Sequence, residues 1–222
     1  EQARRLLGTP RGQERSIQLV REWLGLDRIS TTSKDAMLFP EYEGLQGAME
    51  QESKDFIRET LVAGGNVEDL LGAQWSVVSP ELAAFYGVAG EGRVELPDRV
   101  GLLNQAAFLS VYSHAQETAP VLRGVAVLRR LGCIEIEIPT TLEVEIIPPL
   151  PDPTKTTRER FSIHAADAVC ASCHVLIDPI GFSFEQFDAM GAPQTQEEGK
   201  PIDSTGDVQI NRGFDGFVQN SN

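Results

Sequence analysis

The chain has 222 residues, 41% of them hydrophobic, and a formal net charge of −14 at pH 7. That length admits one large domain or two small ones, and so acidic a balance excludes the basic face that nucleic-acid binding requires. No apolar run reaches the roughly 18 residues of a bilayer span.

In chain order the first hundred residues read as a helical module. Thr9-Pro10 is a helix start, with Ile17, Val20, Trp23 and Leu24 falling on one face. Pro40 opens a helix to about Ala63 whose stripe is Leu45, Met49, Phe56, Ile57 and Leu61, stopped by Gly64-Gly65. Asn66 caps a short helix, and Ser79-Pro80-Glu81 starts one that ends at Gly87. Met37 and Met49 are expected in the core. Arg93–Arg99 reads as a short strand or loop, and Gly101–Tyr112 as a buried helix whose length also permits a strand. Pro120 starts a helix with Val121, Leu122, Val125, Leu128 and Leu131 inside and Arg129-Arg130 at its end, where cations suit the dipole.

Ile134, Ile136 and Ile138 then alternate with Glu135 and Glu137, and Leu142, Val144 and Ile146 with Glu143 and Glu145. This period-two pattern predicts a β-hairpin near 134–147, followed by a stiff Pro-rich linker to Pro153. Thr156-Thr157-Arg158-Glu159 is a capping box that opens the next helix. Glu185–Met190 reads as a short helix with Phe184 and Phe187 to one side. The expected fold is mainly α: a helical domain over 1–98, then a small helical module over 99–222 that holds the hairpin and linker at 133–153 and the start of a further module after about 200.

Within that second module stands Cys170-Ala171-Ser172-Cys173-His174. Two thiols three residues apart, followed at once by an imidazole, form the attachment pattern of a c-type haem. Cys170 and Cys173 would make the thioethers, and His174 would be the proximal iron ligand. A closed zinc site needs four ligands, and a chain with three cysteines and three histidines has no second pair at finger spacing. A thioredoxin-like redox pair would need a preceding strand that the flanks do not supply. Cys133 is left over, as a small buried residue or a partner for a thiol outside the chain. Asp203 and Asp207 around Gly206 lack the twelve-residue calcium-loop pattern and read as a solvated turn.

The sixth haem ligand decides function. Met190 is the first candidate, sixteen residues past His174; His114, on a loop, is second; and His164, six residues before Cys170, is third or contacts a haem propionate. The Cys170–Pro179 segment is similar to small c-type cytochromes, and that likeness implies that the carbonyl of Pro179 meets the other ring nitrogen of His174.

The order of these motifs resembles the planctomycete- and myxobacterial-type cytochrome proteins built from consecutive domains of unknown function. The resemblance rests on Trp23-Leu24-Gly25-Leu26, Phe39-Pro40 and Leu82–Gly87; on Arg99–Leu103, Ser113-His114 and Pro120–Gly124; and most of all on His164, the Cys170–His174 motif, Ile177–Phe182 and Glu185–Asp188. Ile202-Asp203 and Phe214-Asp215-Gly216 match the start of a next module. The resemblance implies a periplasmic or cell-surface cytochrome with covalent haem c. It matches His164 but not Met190, and the Ile/Glu hairpin departs from it.

The leading expectation is therefore one-electron transfer by a single haem. A redox partner would dock on the acidic surface or through the hairpin. The alternatives are a haem enzyme of peroxidase type, with His114 or Glu117 as the acid/base group, and a structural subunit with a stabilising haem. No leader peptide is visible at Glu1, and the chain is expected to be a fragment or a processed product.

Overall fold

Thr9-Pro10, Asn66, Ser79-Pro80, Pro120 and Thr156 stand at helix starts, as the sequence predicts. The computed structural model describes residues 1–136, 149–150, 152–166, 168–208 and 216–219. The architecture is mainly α. Two units divide the chain, Glu1–Glu117 with Ala189–Ala192, and Thr118–Asp188 with the described residues of 193–219.

In the first unit α1 (Gln2–Leu7) leads into α2 (Pro10–Leu24), where the Thr9 hydroxyl accepts from Gly12 N at 3.1 Å. A 3-10 helix, Leu26–Thr31, follows. The helix expected from Pro40 is α3 (Tyr42–Ile57), continued by a π-helical turn over Arg58–Val62. Asn66 caps α4 (Val67–Gly72), its Oδ1 accepting from Asp69 N at 2.8 Å. Ser79 starts α5 (Pro80–Tyr86), and Gly87, at φ 72°, ends it in the left-handed region. The Gly101–Tyr112 stretch is helical: a 3-10 turn over Leu102–Asn104, then α6 (Ala106–Val111), with every residue of α6 buried.

Of the strand expected near Arg93, β2 (Gly92–Glu95) is found, paired antiparallel with β1 (Trp75–Val78), Trp75 opposite Glu95 and Val78 opposite Gly92. The sequence did not reveal β1. Its buried residues are Ser76 and Val78, so a serine stands where an apolar residue would have marked the alternation.

Two apolar expectations are corrected. Trp23 is 39% exposed, and the buried stripe of α2 runs Ile17, Arg21, Leu24. Arg21 fits the i, i+4 step because Nη2 donates to Leu26 O at 3.2 Å and pairs with Glu50 at 3.2 Å. Met37 is 90% exposed because it sits in a turn closed by Phe39 N on Asp35 O, not on a helix stripe; Met49 is in the core as expected.

The second unit holds α7 (Pro120–Arg130), α8 (Thr157–His164) and α9 (Ala168–Phe182), with two antiparallel strand pairs. These are β3 (Gln196–Glu197) with β4 (Lys200–Pro201), and β5 (Thr205–Val208) with β6 (Gly216–Gln219). The capping box forms as expected: Glu159 N donates to Thr156 Oγ1 at 3.2 Å, and Thr156 N donates to Glu159 Oε2 at 2.9 Å. On α7, Leu128 is buried but Leu122 is exposed, and the inward face carries Arg123 and Gly124 instead. Residues 183–186 are turns, so the helix expected over Glu185–Met190 does not form; Phe184 and Phe187 are buried all the same. Cys133, just after α7 ends, is exposed, not buried, and takes the left-handed conformation (φ 51°). Of the hairpin expected near 134–147, residues from 137 on lie outside the described residues.

A carboxyl group is buried in the first unit. Glu52, on α3, is fully buried and accepts from Ser76 Oγ at 2.8 Å and Tyr86 Oη at 2.7 Å. Burial pushes its carboxyl up to about 7, against the opposing pull of those two hydroxyls. A group raised from its unfolded value contributes stability that is fully present below about 4.5 and is lost as pH rises through about 7. Unfolding followed by tryptophan fluorescence reports this unit alone, since both tryptophans, Trp23 and Trp75, lie in it. Its midpoint should fall between pH 5 and pH 8, and Glu52→Gln should flatten that dependence. An unchanged slope in the variant would refute the assignment.

Candidate functional site

Cys170, Cys173 and His174 lie in the first half of α9. Side chains three and four residues apart stand together on a helix surface. The steps from Cys170 to Cys173 and to His174 therefore bring both thiols and the imidazole to one face. The same row continues one turn further to Asp178. Both thiols are free and half-buried, and His174 is half-buried beside them.

His174 Nδ1 lies 2.8 Å from Asp178 Oδ1. An ionised carboxylate only accepts, so the ring nitrogen carries the proton and donates. Sequence reasoning placed the Pro179 carbonyl in this role, and the signal for Asp178 was its spacing of four from His174. The Pro179 carbonyl oxygen instead faces Gly206 of β5, so closely that a Cβ there would collide with it.

Two other backbone approaches hold α9. A Cβ at Gly124 of α7 would run into the Ile177 carbonyl oxygen, and one at Gly181 would run into that of Pro120. Glycine here lets two helix backbones meet. Past the end of α9, Arg123 gathers the chain. It donates to Phe184 O at 3.1 Å, Phe187 O at 3.3 Å and Asp188 O at 2.9 Å, and faces the Glu185 carboxylate at 3.4 Å. Glu185 Oε2 also accepts from Thr118 Oγ1 at 2.6 Å. Burial pushes the Glu185 carboxyl up to about 7, while the Arg123 and Thr118 contacts oppose that rise. Arg158 of α8 stacks on the Phe182 ring at 4.5 Å and donates to Asp203 O at 2.8 Å. None of these supporting residues was singled out as such from the sequence. A buried arginine or a contact glycine looks locally like an exposed charge or a turn.

The other sequence candidates are placed as follows. His164 ends α8 in the same unit as the motif. Met190 and His114 belong to the first unit: Met190 is buried, and His114 is exposed on a loop. That loop is held by Lys34, whose ammonium donates to Ser110 O at 2.9 Å, Ser113 Oγ at 2.6 Å and His114 O at 2.8 Å.

A c-type haem needs two thiols one helical step apart and an imidazole whose second nitrogen is oriented, and this donor set fits it. Zinc needs a converging set of four. Among the described residues no group of three or more His, Cys, Asp or Glu side chains is gathered to hold a metal ion. No helix among the described residues is long and apolar enough to cross a membrane.

The chain is thus mainly helical, in two units, with two cysteines and a histidine on one face of α9. Residues 1–88 match the model of a family described as PSD4, a protein of unknown function (DUF1592), and residues 99–197 match that of PSCyt3, a protein of unknown function (DUF1588). These are consecutive-domain families typical of planctomycete cytochrome c-type proteins, and the second match spans the Cys170–His174 motif. No curated protein and no solved structure matches the chain.

The glycine contacts make a direct prediction. Gly124→Ala should lower the unfolding free energy by roughly 1–3 kcal/mol through overpacking. Leu122→Ala, two residues away on the exposed face, should stay within about 0.5 kcal/mol of the parent. Urea titrations followed by far-UV circular dichroism compare the two, and equal effects would contradict the close approach.

Proposed function

We propose that this chain is the mono-haem c-type cytochrome portion of an extracytoplasmic multi-domain protein, and that it carries one electron at a time. The observation that supports this most is the row on α9: two free thiols at i and i+3, then an imidazole whose Nδ1 is held by a carboxylate at 2.8 Å. A bound haem would supply the one-electron ferric/ferrous couple.

The chain's own residues do the rest. Cys170 and Cys173 would hold the group covalently, and His174 would offer Nε2 to the iron, since Nδ1 serves Asp178. Thioethers of this kind are made outside the cytoplasm, which supports a periplasmic or cell-surface location. The charge of −14 favours a basic redox partner, steered by long-range attraction and sensitive to salt.

A denaturing gel stained for covalent haem tests this reading, together with visible spectra of the oxidised and reduced protein. The wild type should give a stained band and sharp reduced bands, and Cys170→Ala with Cys173→Ala should lose the stain. A ferric methionine-to-iron charge-transfer band that disappears in Met190→Ala would assign the sixth ligand to Met190. A low-spin spectrum lacking that band assigns it to His164 or His114. An unstained wild-type band, from cells competent to attach haem, would sink the proposal.

A further inference from the structure

The carboxylate of Asp178 stands in a place that helix physics does not favour. It is 7% exposed, it lies one turn from the C-terminus of α9, and Pro179 follows it inside the helix. An acid near a helix C-terminus meets the negative end of the dipole. Burial adds a desolvation cost unless a partner compensates. Among the described residues, the partner of this carboxylate is the His174 ring, at 2.8 Å and four residues back.

We propose that Asp178 is the positioning residue that sets the redox potential of the centre, by holding His174 Nδ1–H in a carboxylate hydrogen bond. The proposal rests on the haem reading above. A carboxylate acceptor draws the Nδ1 proton and makes the opposite nitrogen a stronger electron donor, which a neutral carbonyl does less. A stronger donor and a nearby negative charge both favour the ferric state, so the potential is lowered. The contact also fixes the tautomer, assigning ligation to Nε2. Because both residues ride on one helix whose backbone is clamped against Gly124 and Gly206, the pair is held as a unit and does not depend on a loop.

The test compares midpoint potentials of the full chain carrying covalent haem, as wild type, Asp178→Asn and Asp178→Ala. Both variants should shift the ferric-to-ferrous ratio at fixed potential at least tenfold toward ferrous, which is 59 mV upward for a one-electron couple. A role confined to packing would lower the unfolding midpoint and leave the potential where it was. Haem-loaded variants with an unchanged potential would therefore overturn the proposal.

A second reading needs no variant. In the wild-type ferric protein, ¹⁵N-edited NMR of labelled histidine should show the His174 Nδ1 proton exchanging slowly with solvent. Exchange at the rate of an exposed imidazole would overturn the proposal even if the variants fail to fold. Absence of covalent haem from the wild type would overturn the underlying haem reading, and is told apart by the stained gel.

Discussion

The meeting of the α7 and α9 backbones is the constraint on which the second unit depends. Gly124 against the Ile177 carbonyl and Gly181 against the Pro120 carbonyl leave no room for a single added carbon. Helices normally keep their axes about 8–10 Å apart through interposed side chains. Here glycine removes the spacer, so the second half of α9 is gripped along its backbone. Gly206 of β5 grips it again at Pro179. In the first half of the same helix Cys170, Cys173 and His174 are only half-buried. One helix thus has a clamped end and a more accessible end, and the clamp holds the accessible residues on a fixed backbone.

Each unit also places a charge in its interior and surrounds it with partners. In the second unit Arg123 is fully buried, and three backbone carbonyls and one carboxylate receive its donors. A lysine could not reach so many acceptors in a fixed plane. The desolvation cost pulls the guanidinium below its ordinary value and lifts the Glu185 carboxyl. What the arrangement secures is shape. Residues 184–188 form no helix, and three of their carbonyls, those of Phe184, Phe187 and Asp188, are tied to this one side chain, while Gln194 donates to those of Glu185 and Gln186. In the first unit Glu52 does the converse. It is an acceptor, shared by hydroxyls from β1 and α5, and Gln105 extends the network by donating to Ser76 Oγ at 3.0 Å. Buried networks of this kind cost stability if any member is lost, and so favour one packing over its near alternatives.

Much of the local structure was legible because it rests on local chemistry. Thr9, Asn66, Ser79 and the Thr156/Glu159 box cap the helices they were expected to cap. The motif's placement on a helix was legible for the same reason. What escaped is what depends on partners far along the chain. Arg21 and Arg123 occupy inward positions because the Glu50 carboxylate pairs with the first and the carbonyls of Phe184, Phe187 and Asp188 meet the second, and a hydrophobicity pattern scores both as outward. Trp23 and Met37 were misread in the opposite sense: their size suggested core, but the stripe and the turn that carry them point elsewhere. Strand β1 was invisible because its partner β2 lies beyond the whole of α5 in the chain, and its inner face holds a serine. Asp178 was passed over because the reading followed the proline beside it, although the four-residue step from His174 was in plain view.

The stretch after His174 breaks three local rules together: a buried acid, an acid near a helix C-terminus and a proline inside the helix. Pro179 removes the donor that the exposed Val175 carbonyl would have used. None of these helps the helix stand, and a sequence selected for stability alone would place leucine or alanine there. Departures from local consistency that converge on a few residues mark positions kept for another reason. The glycine grip offsets their cost by holding α9 through its backbone, which makes the helix tolerant of unfavourable side chains. Support from α7 and β5 is therefore what allows α9 to spend its own sequence on two thiols, an imidazole and the carboxylate that orients it.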